Sequence, residues 1–464
     1  MSNLLKTKYS RRKILLVAIC SSLSGFLFGY DTGIVSSAIL FMKRSFHLST
    51  SEVSFTVSIV PFGAMITAIF SGYLSDLFGR RKLLYFSSIC FVIGTLFCSS
   101  SMSFIMLIIG RLIIGFAIGI GSCISPIYTS EIAHKDQRGK LVNLFVFSIQ
   151  LGILTSFIIG YLLSKNGNWQ TMTMIGIVPA ISLFFGVLFL DESPRWLVLK
   201  NMFAEAKVVL SKYCTQYETE KIFRDIKHDN INNKFVFRDI IENPKLLNVI
   251  SVGIIISIFT QTVGINAFNY YSPIIFESTG FASPTESTFY TMLMGLSLVI
   301  STFLSLFYID NIGRKKPLIL GTIAIICILS IITSGFLYIK DPKSLGLLFF
   351  LSSVTFMIIH GLSIGPVCFL IPSEIFPGRI RGLGMGISIA TNWISNLSIA
   401  ALIPFIIEYL GIAFLFSIFL AFTIIGLILF TFFVPETKNT SLENIERNML
   451  TNVSLCGMGN KYEK

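Results

Sequence analysis

The chain has 464 residues, 53% of them hydrophobic and only 13% charged, where an ordinary soluble protein carries about 25% charged residues. With a mean hydropathy of +0.78, this excess excludes a single water-soluble core and points to a chain whose solvent is hydrocarbon. The formal net charge of +12 would suit nucleic acid, but the cations sit in short loops between apolar segments, where the preference for cytoplasmic Lys and Arg explains them; no nucleic-acid partner is expected.

The N-terminal tail, residues 1–13, runs through Lys6, Lys8, Arg11, Arg12 and Lys13 straight into an apolar stretch too long for a cleavable signal peptide. Spanning runs are predicted at about 14–40, 53–74, 83–103, 105–128, 141–164 and 170–190, then at about 248–276, 288–309, 317–338, 347–372, 382–408 and 411–434. This makes an N-terminal six-helix half (14–190), a polar segment (191–247), a C-terminal six-helix half (248–434) and a C-terminal tail (435–464). Within the polar segment, Phe203 to Leu210 has helical periodicity, so short amphipathic helices lying on the membrane face are expected rather than a separate domain. An even number of spans puts both tails on one side. Thirty of the 36 Lys and Arg fall on that side, which marks the tails and the segment 191–247 as cytoplasmic in a multi-pass protein of the cell membrane. The eight cysteines show neither metal-ligand nor paired spacing, so no disulfide, metal or cofactor is expected.

An internal repeat organises the rest. Ser75-Asp76-Leu77-Phe78-Gly79-Arg80-Arg81-Lys82, between the second and third spans, matches Ile309-Asp310-Asn311-Ile312-Gly313-Arg314-Lys315-Lys316, between the eighth and ninth. Ser130-Glu131-Ile132 with Arg138 after the fourth span matches Ser373-Glu374-Ile375 with Arg381 after the tenth, and Glu192 after the sixth matches Glu436 after the twelfth. Two parallel halves about a central path are the geometry of rocking-type transporters. A single Lys or Arg needs only topology to explain it. The repeated sets (Asp76, Arg80, Arg81, Glu131, Arg138, Glu192 and Arg195; Asp310, Arg314, Glu374, Arg381 and Glu436) pair acids with Arg at matching places, and this predicts a cytoplasmic charge clamp between the halves.

On these residues the chain resembles the sugar porter family of the major facilitator superfamily. The matching motifs are Gly72 to Arg81, Gly110-Arg111-Leu112-Ile113-Ile114-Gly115, Glu192-Ser193-Pro194-Arg195-Trp196-Leu197, Gly264-Ile265-Asn266 with Tyr270-Tyr271-Ser272, and Pro435 to Glu446. Asp191 stands where the family usually has Pro. The resemblance runs from about residue 14 to 446 and implies an all-α membrane protein, twelve transmembrane helices in the major facilitator fold with short cytoplasmic helices.

Asp31 in the first span and Arg111 in the fourth lie deep in hydrocarbon, where a charge is expensive and therefore a functional candidate. Burial favours the neutral acid and a nearby Arg favours the carboxylate, so protonation would depend on whether the pair is intact. A static ion pair is the plainer alternative. The resemblance favours a proton switch, because proton-coupled members carry Asp at this position where many passive carriers have Asn.

Sugar hydroxyls both donate and accept, which suits neutral amides, with an aromatic ring covering the C–H face. Gln150, Gln261, Asn266, Asn269, Asn392 and Trp393 are such groups, though any one buried amide also serves as glue between helices. By the resemblance, Gln150, Gln261, Asn266, Asn392 and Trp393 fall on substrate-binding positions, and Tyr270 and Tyr271 on an outer gate. Phe28, His360 and Phe369 complete the candidate substrate site; a lone His in an apolar helix is more often a hydrogen-bonded fixture. Departures from the family pattern are Thr260 for Gln, Cys368 for Pro, Phe369 for Trp and Leu298 for an amide, which argue against assuming glucose. The expected function is alternating-access transport of a monosaccharide or polyol by a monomer in the bilayer, coupled to protons, with passive facilitation as the alternative. A non-transporting sensor would carry a longer tail, a drug exporter a Gly-Pro-rich fifth span, and an enzyme a phosphate loop or nucleophile motif; none is present.

Overall fold

A computed structural model describes residues 2–133, 138–213, 215–232, 244–280, 283–376 and 381–438. Among them, twelve helices are long and apolar enough to cross a membrane: Lys13–Phe46, Thr50–Phe78, Arg80–Ser99, Phe104–Ile132, Asn143–Ser164, Trp169–Leu188, Leu246–Ser278, Pro284–Ile309, Lys315–Tyr338, Pro342–Leu362, Leu383–Tyr409 and Ile412–Phe433. They are called the first to twelfth spans below. The expected all-α fold is the one found.

Several ends differ from the hydropathy reading because helix chemistry, not apolarity, sets them. The first span runs to Phe46 rather than 40, since Lys43 and Arg44 suit the negative end of the helix dipole. It stops where His47 adopts the left-handed region at φ 50° and the Leu48 amide bonds back to the Lys43 carbonyl at 3.0 Å. The fourth span starts at a Ser103 cap on the Met106 amide, and the tenth at an Asp341 cap on the Ser344 amide. The same contacts hold the Asp341 carboxyl below its ordinary range, its bonds from Ser344 being the main cause. Ser283 and Glu286 form a reciprocal capping box that opens the eighth span, with Pro284 in its first turn.

Two spans expected to be continuous are broken. The seventh consists of Pro244–Thr262 and the half-helix Ile265–Ser278, joined through Gly264 at φ 99°. The tenth, predicted as one run of about 347–372, stops at Leu362 and resumes as Ile364–Ile375. Pro366 explains this second break. It has no N–H to give the Leu362 carbonyl, and the Ser363 hydroxyl bonds back to the Ile359 carbonyl at 2.6 Å. The hydroxyl of Tyr308, from the eighth span, donates to that freed Leu362 carbonyl. Pro404 in the eleventh span likewise frees the Ala400 carbonyl, and Tyr271 donates to it at 2.7 Å. Hydrocarbon offers no water, so a neighbouring helix supplies the missing donor.

Among the described residues between the sixth and seventh spans lie three short helices, Pro194–Leu199, Phe203–Tyr213 and Gln216–Asn232. The last two are joined by Lys207–Glu220 at 2.8 Å and by edge-to-face packing of Phe203 on Phe223. Asp191, the residue that departs from the family's Pro, anchors the second of them through Lys212 at 2.5 Å and the Tyr213 hydroxyl at 3.0 Å. Burial, with the Asp191 carboxylate beside it, raises the Tyr213 phenol above its ordinary value.

By contacts the chain forms two compact units. One contains Met1–Asp31, Gly63–Ile153 and Thr173–Phe235; the other contains Thr32–Phe62, Leu154–Met172 and Val236–Lys464.

Removing the Tyr308 hydroxyl tests the account of the tenth-span break. Tyr308→Phe leaves the Leu362 carbonyl without a donor and lowers stability by about 1–3 kcal/mol, read as an earlier thermal unfolding midpoint in detergent. Adding Pro366→Ala restores a backbone donor, so the double variant is more stable than Tyr308→Phe alone. Equal midpoints for the two would contradict this explanation.

Candidate functional site

Asp31 and Arg111 are buried, and they face each other from the first and fourth spans with Oδ1 to Nη1 at 3.5 Å. A tight charge-assisted hydrogen bond measures about 2.7–2.9 Å, so this pair is in contact without being locked. Phe28, one turn before Asp31, is half-buried. Gln150 in the fifth span is also half-buried, and its side-chain oxygen is enclosed without a hydrogen-bond partner among the described residues.

The seventh and eleventh spans carry a relay of amides. Asn266 Nδ2 donates to Gln261 Oε1 at 2.6 Å, and Gln261 Nε2 donates to Asn392 Oδ1 at 3.0 Å. Gln261 and Asn266 are buried and Asn392 half-buried, with the buried Trp393 beside it in sequence. Gln261, Asn266 and Asn392, three of the amides singled out in the sequence, are therefore joined by hydrogen bonds. Tyr270 donates to Asn396 Oδ1 at 3.4 Å, one turn from the Tyr271–Ala400 bond, so both tyrosines tie the half-helix Ile265–Ser278 to the eleventh span.

Polar capacity remains unspent around the relay. Asn269, one turn beyond Asn266, is buried with its carbonyl oxygen lacking a partner among the described residues. The same holds for both ring nitrogens of His360, which stacks on Phe356 at 6.1 Å. His360 is thus not the hydrogen-bonded fixture that its setting suggested; it occupies the last turn before the Pro366 break. Of the departures from the family pattern, Thr260 donates to the Ile256 carbonyl at 2.8 Å and Cys368 is buried. The side chains of Phe369, Arg138, Asp310 and Arg381 lie outside the described residues.

The two repeated charge sets have the same construction. In the first, Arg80 reaches Asp76 at 3.1 Å and Glu131 at 3.1 Å, and its Nη1 donates to the Ser75 carbonyl at 3.0 Å. In the second, Arg314 holds Glu374 at 2.9 Å and its Nη1 reaches the Ile309 carbonyl at 3.4 Å. Ser193 donates to Glu131 and Thr437 to Glu374. Arg81 donates to the Val187 and Leu188 carbonyls at the end of the sixth span, and Lys315 to Thr431 near the end of the twelfth. Arg195 is exposed.

Glu192 and Glu436 do something the sequence reading missed. Glu192 Oε1 accepts the backbone amides of Arg80 at 2.9 Å and Arg81 at 3.1 Å, and Glu436 accepts those of Arg314 at 2.9 Å and Lys315 at 3.0 Å. Each is an N-cap delivered from the far end of the same six spans onto the positive end of a helix dipole. Gly79 (φ 98°) and Gly313 (φ 103°) give these carboxylates room: a Cβ there would lie 2.3 Å from Glu192 Oε2 and 2.6 Å from Glu436 Oε2. The repeated Gly and the repeated Glu were both visible in the sequence, but their contact was not. Arg80 and Glu192 meet partners within the first six spans and their flanks, and Arg314 and Glu436 meet partners within the last six and the residues after them.

The cap sets an order of stability. Glu436→Ala strands two buried-end amides and costs about 0.5–2 kcal/mol, while Glu436→Gln, which keeps a carbonyl acceptor, costs less. Gly313→Ala costs at least as much as Glu436→Gln, because it forces the carboxylate away. Thermal unfolding in detergent reads all three, and equal stability of Glu436→Ala and wild type would overturn the capping role.

Comparison with known proteins agrees with this architecture. The family model described as sugar (and other) transporter matches residues 17–449. The galactose-proton symporter of Escherichia coli (strain K12) is 33% identical over 447 residues, covering 96% of each chain. The glucose transporter GlcP of Staphylococcus epidermidis is 34% identical over 431 residues, 93% of this chain and 96% of that one. Among solved structures, the proton:xylose symporter XylE bound to 6-bromo-6-deoxy-D-glucose, of the major facilitator superfamily, superposes with a TM-score of 0.81 at 27% identity, over 95% of this chain and 99% of that chain. With twelve spans, the repeated charge sets and a family model matched almost end to end, the chain belongs to the sugar (and other) transporter family.

Proposed function

We propose that this protein carries a monosaccharide or polyol across the cell membrane together with a proton, as a monomer working by alternating access. The observation that carries the substrate class is the buried relay Asn266–Gln261–Asn392, with unspent polar atoms on Asn269 and His360 nearby in sequence or fold. Each buried unpaired polar atom costs about 1–3 kcal/mol, a cost that hydrogen bonds to an arriving sugar hydroxyl would offset. Gln150, Gln261, Asn266, Asn392 and His360 offer the hydroxyl-matching groups, and Trp393, Phe28 and Phe369 the apolar cover. The relatives' names, which carry galactose with a proton, glucose, and xylose with a proton, support a sugar.

Coupling is assigned to Asp31 and Arg111. A proton on Asp31 removes the attraction that keeps Arg111 beside it, which would release the buried pair. Tyr270 and Tyr271 close the outer side. The chain works as two six-helix halves, 14–190 and 248–434, linked by 191–247, with both tails cytoplasmic, a reading that the distribution of Lys and Arg supports. The charge sets keep each half rigid while the halves rock.

Uptake into liposomes from a panel of labelled hexoses, pentoses and inositols, with and without an inward proton gradient, tests this reading. Gradient-driven accumulation of one substrate is expected, lost in Asp31→Asn while exchange at equilibrium persists; no uptake of any panel member would sink the sugar assignment. Gln261→Ala breaks the relay at its centre and raises the KM by about five- to 150-fold, as expected for about 1–3 kcal/mol of lost hydrogen bonding. An unchanged KM would remove Gln261 from the site.

A further inference from the structure

Among the described ion pairs, one joins a helix of the first six spans to a helix of the last six: Arg44 Nη2 to Glu277 Oε1 at 2.8 Å. It lies at the ends of the first and seventh spans opposite the Arg80 and Arg314 loops, away from both repeated charge sets. Its two ends are built very differently. Arg44 stands on a fixed post. The neighbouring Ser45 hydroxyl accepts the Trp169 indole N–H at 3.2 Å, and Phe46 packs on the same ring at 5.6 Å, with Trp169 fully buried. Glu277 stands on a lever, near the far end of the half-helix Ile265–Ser278, whose start is the left-handed Gly264.

The leverage can be estimated. Thirteen residues of helix place Glu277 about 20 Å from Gly264, so a swing of about 15° moves it by about 5 Å. That displacement breaks an ion pair while changing little near the hinge. The same half-helix is tied to the eleventh span by Tyr270 and Tyr271, and the rest of this end is closed by Ser54 on the Ala401 carbonyl at 2.7 Å and by Tyr161 packed on Phe289 at 5.2 Å. These latter contacts are a neutral hydrogen bond and an apolar pair. Among these described contacts, the ion pair is the one that responds to charge and to salt.

We propose that Arg44 and Glu277 form an outer latch that holds the half-helix Ile265–Ser278 shut and so sets the fraction of carriers closed to the outside. The proposal rests on the alternating-access reading, because only a carrier whose outer end opens must break this pair in each cycle. The two side chains are partly exposed, at 59% and 37%, so water screens the attraction. The expected effect is a population shift of about two- to fivefold, the range of a good surface pair. It is a bias on the gate, not a barrier that determines whether transport occurs.

The test needs a readout that does not depend on transport. Asn396→Cys places a thiol under Tyr270, on the eleventh span, where a membrane-impermeant maleimide added from outside reaches it only when the half-helix swings out. With this reporter, Arg44→Gln and Glu277→Gln should each raise the labelling rate about two- to fivefold. The charge-swapped pair Arg44→Glu with Glu277→Arg should return it to the parent rate, which a merely structural role for either residue would not do. Raising ionic strength should speed labelling of the parent and leave the single variants unchanged. Parent-like labelling in both single variants, or a swapped pair that labels as fast as they do, would overturn the latch. Failure of the transport reading has a different signature, namely no uptake of any sugar by the wild-type protein whatever the labelling shows.

Discussion

A polar group inside hydrocarbon has no water to fall back on, so it must find its partner within the protein or keep a place for one that arrives. Most of this structure follows from the first alternative. Prolines 366 and 404 free backbone carbonyls, and tyrosines from adjacent helices satisfy them. The third and ninth spans begin with unpaired amides, and Glu192 and Glu436 reach back to cap them. Arg80 and Arg314 spend their guanidinium donors on carboxylates and carbonyls around those caps. Each six-helix set is thereby tied at one end by its own charges.

The second alternative is the one proposed for the candidate site. Asn269, His360 and Gln150 keep buried polar atoms unspent, and the Asp31–Arg111 contact is longer than a settled ion pair needs. The seventh and tenth spans are interrupted, at Gly264 and at Ser363, beside the amide relay and His360 respectively. A broken helix can move one segment without dragging the other. The half-helix Ile265–Ser278 carries Asn266, Asn269, Tyr270, Tyr271 and Glu277, so groups that would meet a substrate and groups that would close over it travel together.

What the sequence disclosed follows the same division. Span count and fold were legible, since each span is a local apolar run and the repeat placed matching motifs at matching loops. Helix ends were less so: the extension of the first span to Phe46 depends on Lys43 and Arg44 meeting a helix dipole, which hydropathy scores as a loss. The breaks were missed because Gly264 and Pro366 sit within strongly apolar surroundings. The role of Glu192 and Glu436 could not be read at all. A carboxylate more than a hundred residues from the helix it caps leaves no trace in periodicity, and its charge suggested an Arg partner rather than backbone amides. Asp191, which stands where the family usually has Pro, anchors a helix of the segment 191–247 through Lys212 and Tyr213. The amides were recognised by residue type, but only their geometry separates the spent ones from those with capacity left.

In the proposed mechanism one buried Asp–Arg pair links sugar movement to proton movement. The most direct measurement is the pH inside liposomes that contain the reconstituted protein, with no gradient imposed and a transported sugar added outside. The account predicts that sugar entry brings protons with it, acidifying the lumen in step with uptake, and that Asp31→Asn abolishes the acidification while sugar still equilibrates. Sugar entry by the wild-type protein with an unchanged internal pH would contradict it and leave Asp31 and Arg111 a static buried pair.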